Sequence, residues 1–151
     1  MDTLGALKQV FIFKDVPDPV LQLVAQAAEE MSVSAGETIA SGTQAPKALY
    51  VIRNGTVRLS SEKRDTAPLL FGSGETIGEV PFLDGGPAGV TAVALERADL
   101  LVIRSEKLEG ILAGNPEAAY RFYRAIAVSL AKRIRRVVGM LAFAAEHEKS
   151  A

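Results

Sequence analysis

The chain has no cysteine and no tryptophan, a single histidine, and aromatic residues at only 6% of its 151 positions. Without cysteine there is no disulfide, thiolate nucleophile, iron–sulfur cluster or zinc–thiolate site. The lone histidine, His147, stands near the C-terminus and cannot build a multi-histidine metal centre. No nucleophile–base pair or cluster of carboxylates marks a catalytic site. The expectation is a protein that is not an enzyme and carries neither metal nor cofactor. Charge of either sign is not in excess: 17 Lys and Arg face 18 Asp and Glu, a formal net charge of −1. The whole chain therefore exerts no general pull on nucleic acid or an anionic membrane. No run approaches the roughly 18 apolar residues that span a bilayer. The first lysine is Lys8, and the basic start and apolar core of a signal peptide are missing. A cytoplasmic protein without a membrane contact is expected.

What is present is an ordinary globular composition, 48% hydrophobic and 23% charged, enough for one self-sufficient core. Leu4, Leu7, Val10 and Phe11 recur at helical spacing and predict a short opening helix. Asp18 and Pro19 read as a cap and a first helical residue. A second helix over 20–30 follows, burying Val20, Leu21, Val24, Ala27 and Ala28. After Met31 the texture changes to short Val-, Ile-, Leu- and Thr-rich runs between glycine turns. The strands expected are 37–40, 49–53, 56–60, 69–71, 76–77, 89–95 and 100–104. Asn54-Gly55 between two of them is the strongest hairpin signal in the chain. Such spacing predicts an antiparallel sandwich or barrel. Ser105 then opens a short helix. Asn115-Pro116-Glu117 opens a long one, with a capping side chain, a proline that loses no amide and an acid favoured by the helix dipole. It runs to about Glu148 with an interruption at Gly139, roughly 45 Å at 1.5 Å per residue. The expected organisation is a barrel with N-terminal helices over 1–115 and a terminal helix over 116–151.

One stretch stands apart, residues 72–92, with Gly78-Glu79-Val80-Pro81 near its start and Gly85-Gly86-Pro87-Ala88-Gly89-Val90-Thr91 near its end. Gly78 lets the backbone approach something closely, Glu79 places a carboxylate there, and residues 80–84 fit one helical turn with free amides. The same residues also fit a plain loop between strands.

The segment resembles the phosphate-binding cassette of the cyclic nucleotide-binding domain family, which includes catabolite activator proteins and the regulatory subunits of cyclic-AMP-dependent kinase. Gly36-Glu37-Thr38-Ile39, the run from Leu49 to Val57 through Asn54-Gly55, and the Asn-Pro-Glu start of the long helix resemble that family too. The resemblance implies an antiparallel β-roll or jelly roll, and cyclic AMP or cyclic GMP as ligand. It implies ligand contacts at Gly78, Glu79, Val80, Pro81, Ala88, Gly89, Val90 and Thr91, with Glu79 taking the ribose 2′-hydroxyl. Two positions depart from the pattern. The arginine that clamps the phosphate falls on Ala88, or on Gly89 with a shift of one. Pro81 stands where the family uses a backbone amide, and proline has none. Hydrogen bonds to a charged group are worth roughly 1.5–3 kcal/mol each, so the two losses cost about two to four decades of affinity. Arg53, Arg58, Arg64 and Arg97 are the arginines that could reach in from other strands.

On the long helix, Leu130, Ile134, Val137, Leu141 and Ala144 are spaced 4, 3, 4, 3, a heptad seam. Dimerisation is the preferred reading, and packing back onto the barrel, better suited to Phe122 and Ile126, the other. Lys132, Arg133, Arg135 and Arg136, with Arg121 and Arg124, make the helix basic, either as a solvated face or as a contact for an anionic partner. No helix-turn-helix pattern follows in the sequence, so sequence-specific nucleic-acid binding is not expected. The reading is a homodimeric regulatory domain that moves its terminal helix on binding ligand. The alternatives are a ligand-free scaffold for a partner protein and a sensor of a different small molecule.

Overall fold

The computed structural model describes residues 2–41, 47–61 and 68–149. The chain opens with α1 (Thr3–Lys8), capped by Asp2, whose carboxylate accepts from the Gly5 N–H at 2.8 Å. A 3₁₀ turn (Phe11–Phe13) and α2 (Asp18–Ala27) follow. Leu7, Val10 and Phe13 turn inward, whereas Phe11 is 68% exposed, contrary to its expected place on the buried face. The second helix also ends sooner than its pattern suggests. Residues 28–30 already belong to β1 (Ala28–Val33), which pairs antiparallel with β8 (Ala98–Arg104). Ladder hydrogen bonds override the weak helical periodicity there.

Six further strands complete two four-stranded antiparallel sheets: β2 (Thr38–Ser41), β3 (Ala48–Asn54), β4 (Val57–Ser61), β5 (Leu69–Phe71), β6 (Thr76–Ile77) and β7 (Val90–Ala94). Their orders are β1-β8-β3-β6 and β2-β7-β4-β5. Helix α3 (Glu79–Asp84) lies between β6 and β7, and α4 (Ser105–Leu112) and α5 (Pro116–Lys149) follow β8. The result is the antiparallel β-roll with flanking helices that the family resemblance implies.

Asn54-Gly55 does not close a hairpin. It joins β3 in one sheet to β4 in the other, and the two strands do not pair. Gly55 has φ of 94°, and a Cβ there would lie 2.6 Å from the Arg97 carbonyl oxygen. Glycine is required both by the left-handed backbone and by the neighbouring chain.

Strands β3 and β8 are buried on both faces, so each reads as an unbroken apolar run with no alternation. Leu49, Val51, Leu101 and Ile103 face the helices and join Leu7, Phe13, Leu21, Val24, Leu108, Phe122 and Ile126 in one core. Tyr50, Ile52, Leu100 and Val102 face the interior of the roll with Val57, Ile77, Ala92 and Ala94. The Phe13 and Phe122 rings lie 5.3 Å apart and anchor the start of α5 to the 3₁₀ turn. Asn115 caps α5, accepting from the Ala118 N–H at 3.1 Å. Ser105 is the first residue of α4 and makes no cap hydrogen bond. Helix α5 continues through Gly139 without a break for 34 residues, about 51 Å at 1.5 Å per residue. A single glycine costs a helix only about 1 kcal/mol relative to alanine, too little to interrupt it. No described helix is long and apolar enough to cross a membrane.

Within the first sheet, Ser32 Oγ of β1 donates to the Asp99 carboxylate of β8 at 2.7 Å and Asn54 Nδ2 of β3 donates at 3.4 Å. The Ser32 bond chiefly, then Asn54, holds the Asp99 carboxyl below the usual aspartate value, with Arg97 helping. A depressed native pKa stabilises the fold above the unfolded-state value of about 3.9, and that contribution is lost as pH falls through the lowered native value. Asp99→Asn is therefore expected to melt earlier than wild type near neutral pH, with the gap closing below about pH 3.9. Thermal melts from neutral to acid pH check this, and a gap that is constant with pH would refute it.

Candidate functional site

The cassette is built from β6, α3 and the following turn, beside the start of β3. Gly78 ends the extended β6 backbone with φ of 87° and caps α3. A Cβ there would come within 2.6 Å of the Ala48 carbonyl oxygen. The close approach read from this glycine is therefore to the first residue of β3, and it seats α3 against that strand. Helix α3 spans Glu79–Asp84, the helical turn expected at 80–84. Gly85, with φ of 70°, terminates it, and Asp84 Oδ1 accepts from the Gly86 N–H at 2.7 Å.

Glu79 is buried, its side chain 6% exposed. Thr76 Oγ1 donates to Glu79 Oε1. From α5, Arg133 Nη1 donates to Oε2 and Nη2 to Oε1, both at 3.2 Å. This is a fork-on-carboxylate pair, the strongest geometry available to the two groups. Arg133 stands seven residues after Ile126, two helical turns further along the strip that packs into the core. It is thus not part of a uniformly solvated basic face. A second contact joins the same elements: the Phe82 ring of α3 lies 6.3 Å from both Phe122 and Tyr123 of α5.

Beside α3 the roll holds a small, partly open cavity of about 40 Å³, room for a few waters. Gly78, Pro81, Ala88 and Val90 line it, with Ala40, Ala48, Tyr50, Leu59, Ile77 and Ala92 supplying further wall. Burial raises the Tyr50 phenol above its usual value, against the opposing charge of Arg104. Four of the expected ligand contacts do not line the cavity: Glu79, which is turned to Thr76 and Arg133, and Val80, Gly89 and Thr91. Val80 is 53% exposed, Gly89 is exposed, and Thr91 is half-buried within β7. Period-two alternation puts Thr91 on the face opposite Val90 and Ala92.

The arginines offered as substitutes for the missing clamp are elsewhere. Arg53 pairs with Glu30 at 3.3 Å and Arg97 with Asp99 at 3.7 Å. Arg58 neighbours the cavity residue Leu59 on β4 and so takes the opposite face. Arg64 lies outside the described residues. The cation that does line the cavity is Lys47, whose Nζ donates to the Gly86 carbonyl oxygen at 2.6 Å. Sequence reading missed it because its position depends on how β3 enters the roll. Lys132, Arg136, Arg121 and Arg124 line an open groove against Lys14 and Asp15. Among the described residues no group of His, Cys, Asp or Glu is arranged to hold a metal ion.

On the proposed dimer strip, Ile134, Val137 and Leu141 are exposed by 54–66%. Leu130 departs from the expectation: it is half-buried and packs against the helical core, one turn too near the barrel to project.

Comparison with known proteins identifies the fold and the family. The N-terminal domain of a transcriptional regulator from Streptomyces coelicolor A3(2) superposes with a TM-score of 0.72 at 27% identity, covering 85% of this chain and 94% of that one. Thermus thermophilus catabolite activator protein gives a TM-score of 0.71 at 26% identity, covering 87% of this chain and 62% of that one. Among curated relatives, the cyclic AMP receptor protein of Thermus thermophilus is 34% identical over 94 residues, 59% of this chain and 41% of that protein. Lysophospholipase NTE1 of Pyricularia oryzae is 28% identical over 115 residues, 74% of this chain but 7% of that much longer protein. The chain thus spans only a small part of some of the curated relatives it matches. The sequence model of the cyclic nucleotide-binding domain matches residues 30–115, the stretch that folds into the roll and its cassette, and the chain belongs to that family.

Proposed function

We propose that the chain is a non-catalytic regulatory domain of the cytoplasm, that it responds to a cyclic nucleotide with weak affinity for cyclic AMP or cyclic GMP, and that it works as a homodimer through α5. The observation that carries this reading is the pair between Glu79 and Arg133. The carboxylate that would receive a ribose hydroxyl is already occupied by the terminal helix. A ligand that takes Glu79 competes with Arg133, and Phe82 passes any shift of α3 to Phe122 and Tyr123. Binding and helix position are thereby coupled as a population shift. The small cavity fits the same picture, being the closed form that a ligand must open.

Arg133→Met keeps the apolar stem and removes the fork. Apparent affinity falls by the fraction of molecules in the binding-competent form. Removing a partly exposed pair worth about 1 kcal/mol should therefore tighten cyclic AMP binding by roughly fivefold. Calorimetry reads the affinity, and hydrogen exchange should show faster exchange in α5 beyond Arg133. Weaker or unchanged binding would overturn the coupling. The small and mainly apolar cavity also favours a second reading, a scaffold that has lost its ligand and serves a partner protein. That reading gains if no cyclic nucleotide binds even after the cassette is repaired.

A further inference from the structure

We propose that Lys47 is the cation of the anion subsite, taking over from the side of β3 the charge that Ala88 does not supply. The inference rests on the cyclic nucleotide reading above and assigns its phosphate contact.

Lys47 lines the cavity together with Gly78, Pro81 and Ala88. Its backbone is fixed, because the Ser105 N–H donates to the Lys47 carbonyl at 2.8 Å. Its amine crosses to the cassette and donates to the Gly86 carbonyl oxygen at 2.6 Å. Gly86 is two residues before Ala88, so the ammonium sits beside the position an arginine at 88 would serve. The partner it holds is a neutral carbonyl, and among the described residues no carboxylate pairs with it. Among the described residues its charge is therefore not met by a carboxylate. An ammonium has three donors and no acceptor. One is used on Gly86, which leaves two for an anionic oxygen without breaking the existing bond. The ligand this fits is a cyclic phosphodiester, a single negative charge on two equivalent oxygens. A lysine meets it as a point charge and not as a two-pronged fork. Binding through Lys47 is accordingly real but weaker than an arginine clamp would give.

The test is calorimetry with cyclic AMP and with cyclic GMP on wild type, Lys47→Met, Lys47→Arg, Ala88→Arg and the Lys47→Met/Ala88→Arg double variant. Wild type should bind weakly and Lys47→Met about tenfold more weakly. Lys47→Arg should stay within about threefold of wild type. In the Ala88→Arg background, loss of Lys47 should cost less than about threefold, because the arginine then carries the charge. Thermal melts confirm folding. If Lys47→Met melts early, Lys47→Gln, which keeps a donor for Gly86 but no charge, carries the same expectation. Lys47→Met equal to wild type while Ala88→Arg binds tightly would overturn the lysine's role and leave the cyclic nucleotide reading standing. A wild type silent at millimolar ligand where Ala88→Arg binds would do the same. Silence in all variants would overturn both.

Discussion

Ala88→Arg is expected to bind cyclic AMP roughly a hundredfold more tightly than wild type, and Ala88→Arg with Pro81→Ala up to about four decades more tightly. Ala88 and Pro81 both line the cavity beside α3, with Gly78 between them and the β3 backbone. An arginine at 88 brings a fork where the wild type has a methyl group, and two charge-assisted bonds to one phosphate outweigh a single ammonium contact. The proline change is smaller. The Phe82 N–H is already used on the Gly78 carbonyl at 3.1 Å. The donors left in the first turn of α3 belong to Glu79 and Val80, and alanine at 81 adds one more. On the ribose side Glu79 keeps its carboxylate, which a ligand gains by displacing Arg133. Calorimetry on wild type, the two single variants and the double variant measures the gain. An Ala88→Arg protein that binds no better would mean that the cavity cannot open to the ligand, which favours the scaffold reading.

Light scattering is expected to find wild type as a dimer, and Ile134→Asp with Leu141→Asp as a monomer whose roll melts at the wild-type temperature. The distal half of α5 exposes Ile134, Val137, Val138, Met140, Leu141 and Phe143, each between 54% and 70%. Leaving that much apolar surface in water costs about 25 cal/mol per Å², and contiguous patches of this kind mark association surfaces. Ile134, Val137 and Leu141 follow heptad spacing, so a second copy of the helix would cover them as a coiled-coil seam. Aspartates at 134 and 141 would bury charge in that seam at high cost. Neither residue belongs to the buried core clusters, which is why the roll should keep its stability. A wild type that stays monomeric at high micromolar concentration would defeat the proposal. A double variant that melts early would show that these residues support the roll itself.

Much of the architecture is legible in the chain because it is written locally. Val20, Leu21 and Val24 at helical spacing, the Asn115-Pro116-Glu117 start, and the glycines that bracket α3 each act within a few residues of themselves. The Asn54-Gly55 turn was legible as a turn but not as a crossing between sheets. A β-turn has the same residue preferences whichever strand its arms pair with, and β3 pairs with β8 and β4 with β7, strands far along the chain. Residues 28–30 show the same limit: they prolong a helical pattern, yet β8 claims them.

The sequence by itself determined the family, the place of the cassette and its two departures at Pro81 and Ala88, since these are matters of residue identity at aligned positions. Only the tertiary structure decided what stands around the cassette. Arg133 reaches Glu79 from 54 residues away, and Lys47 reaches Gly86 from 39. Neither residue is distinguishable in one dimension from the other cations of a near-neutral chain. A side chain's charge is encoded where it stands, but the field it feels depends on which backbone the fold brings beside it, and for these two that is settled by how α5 docks on the roll and how β3 enters it.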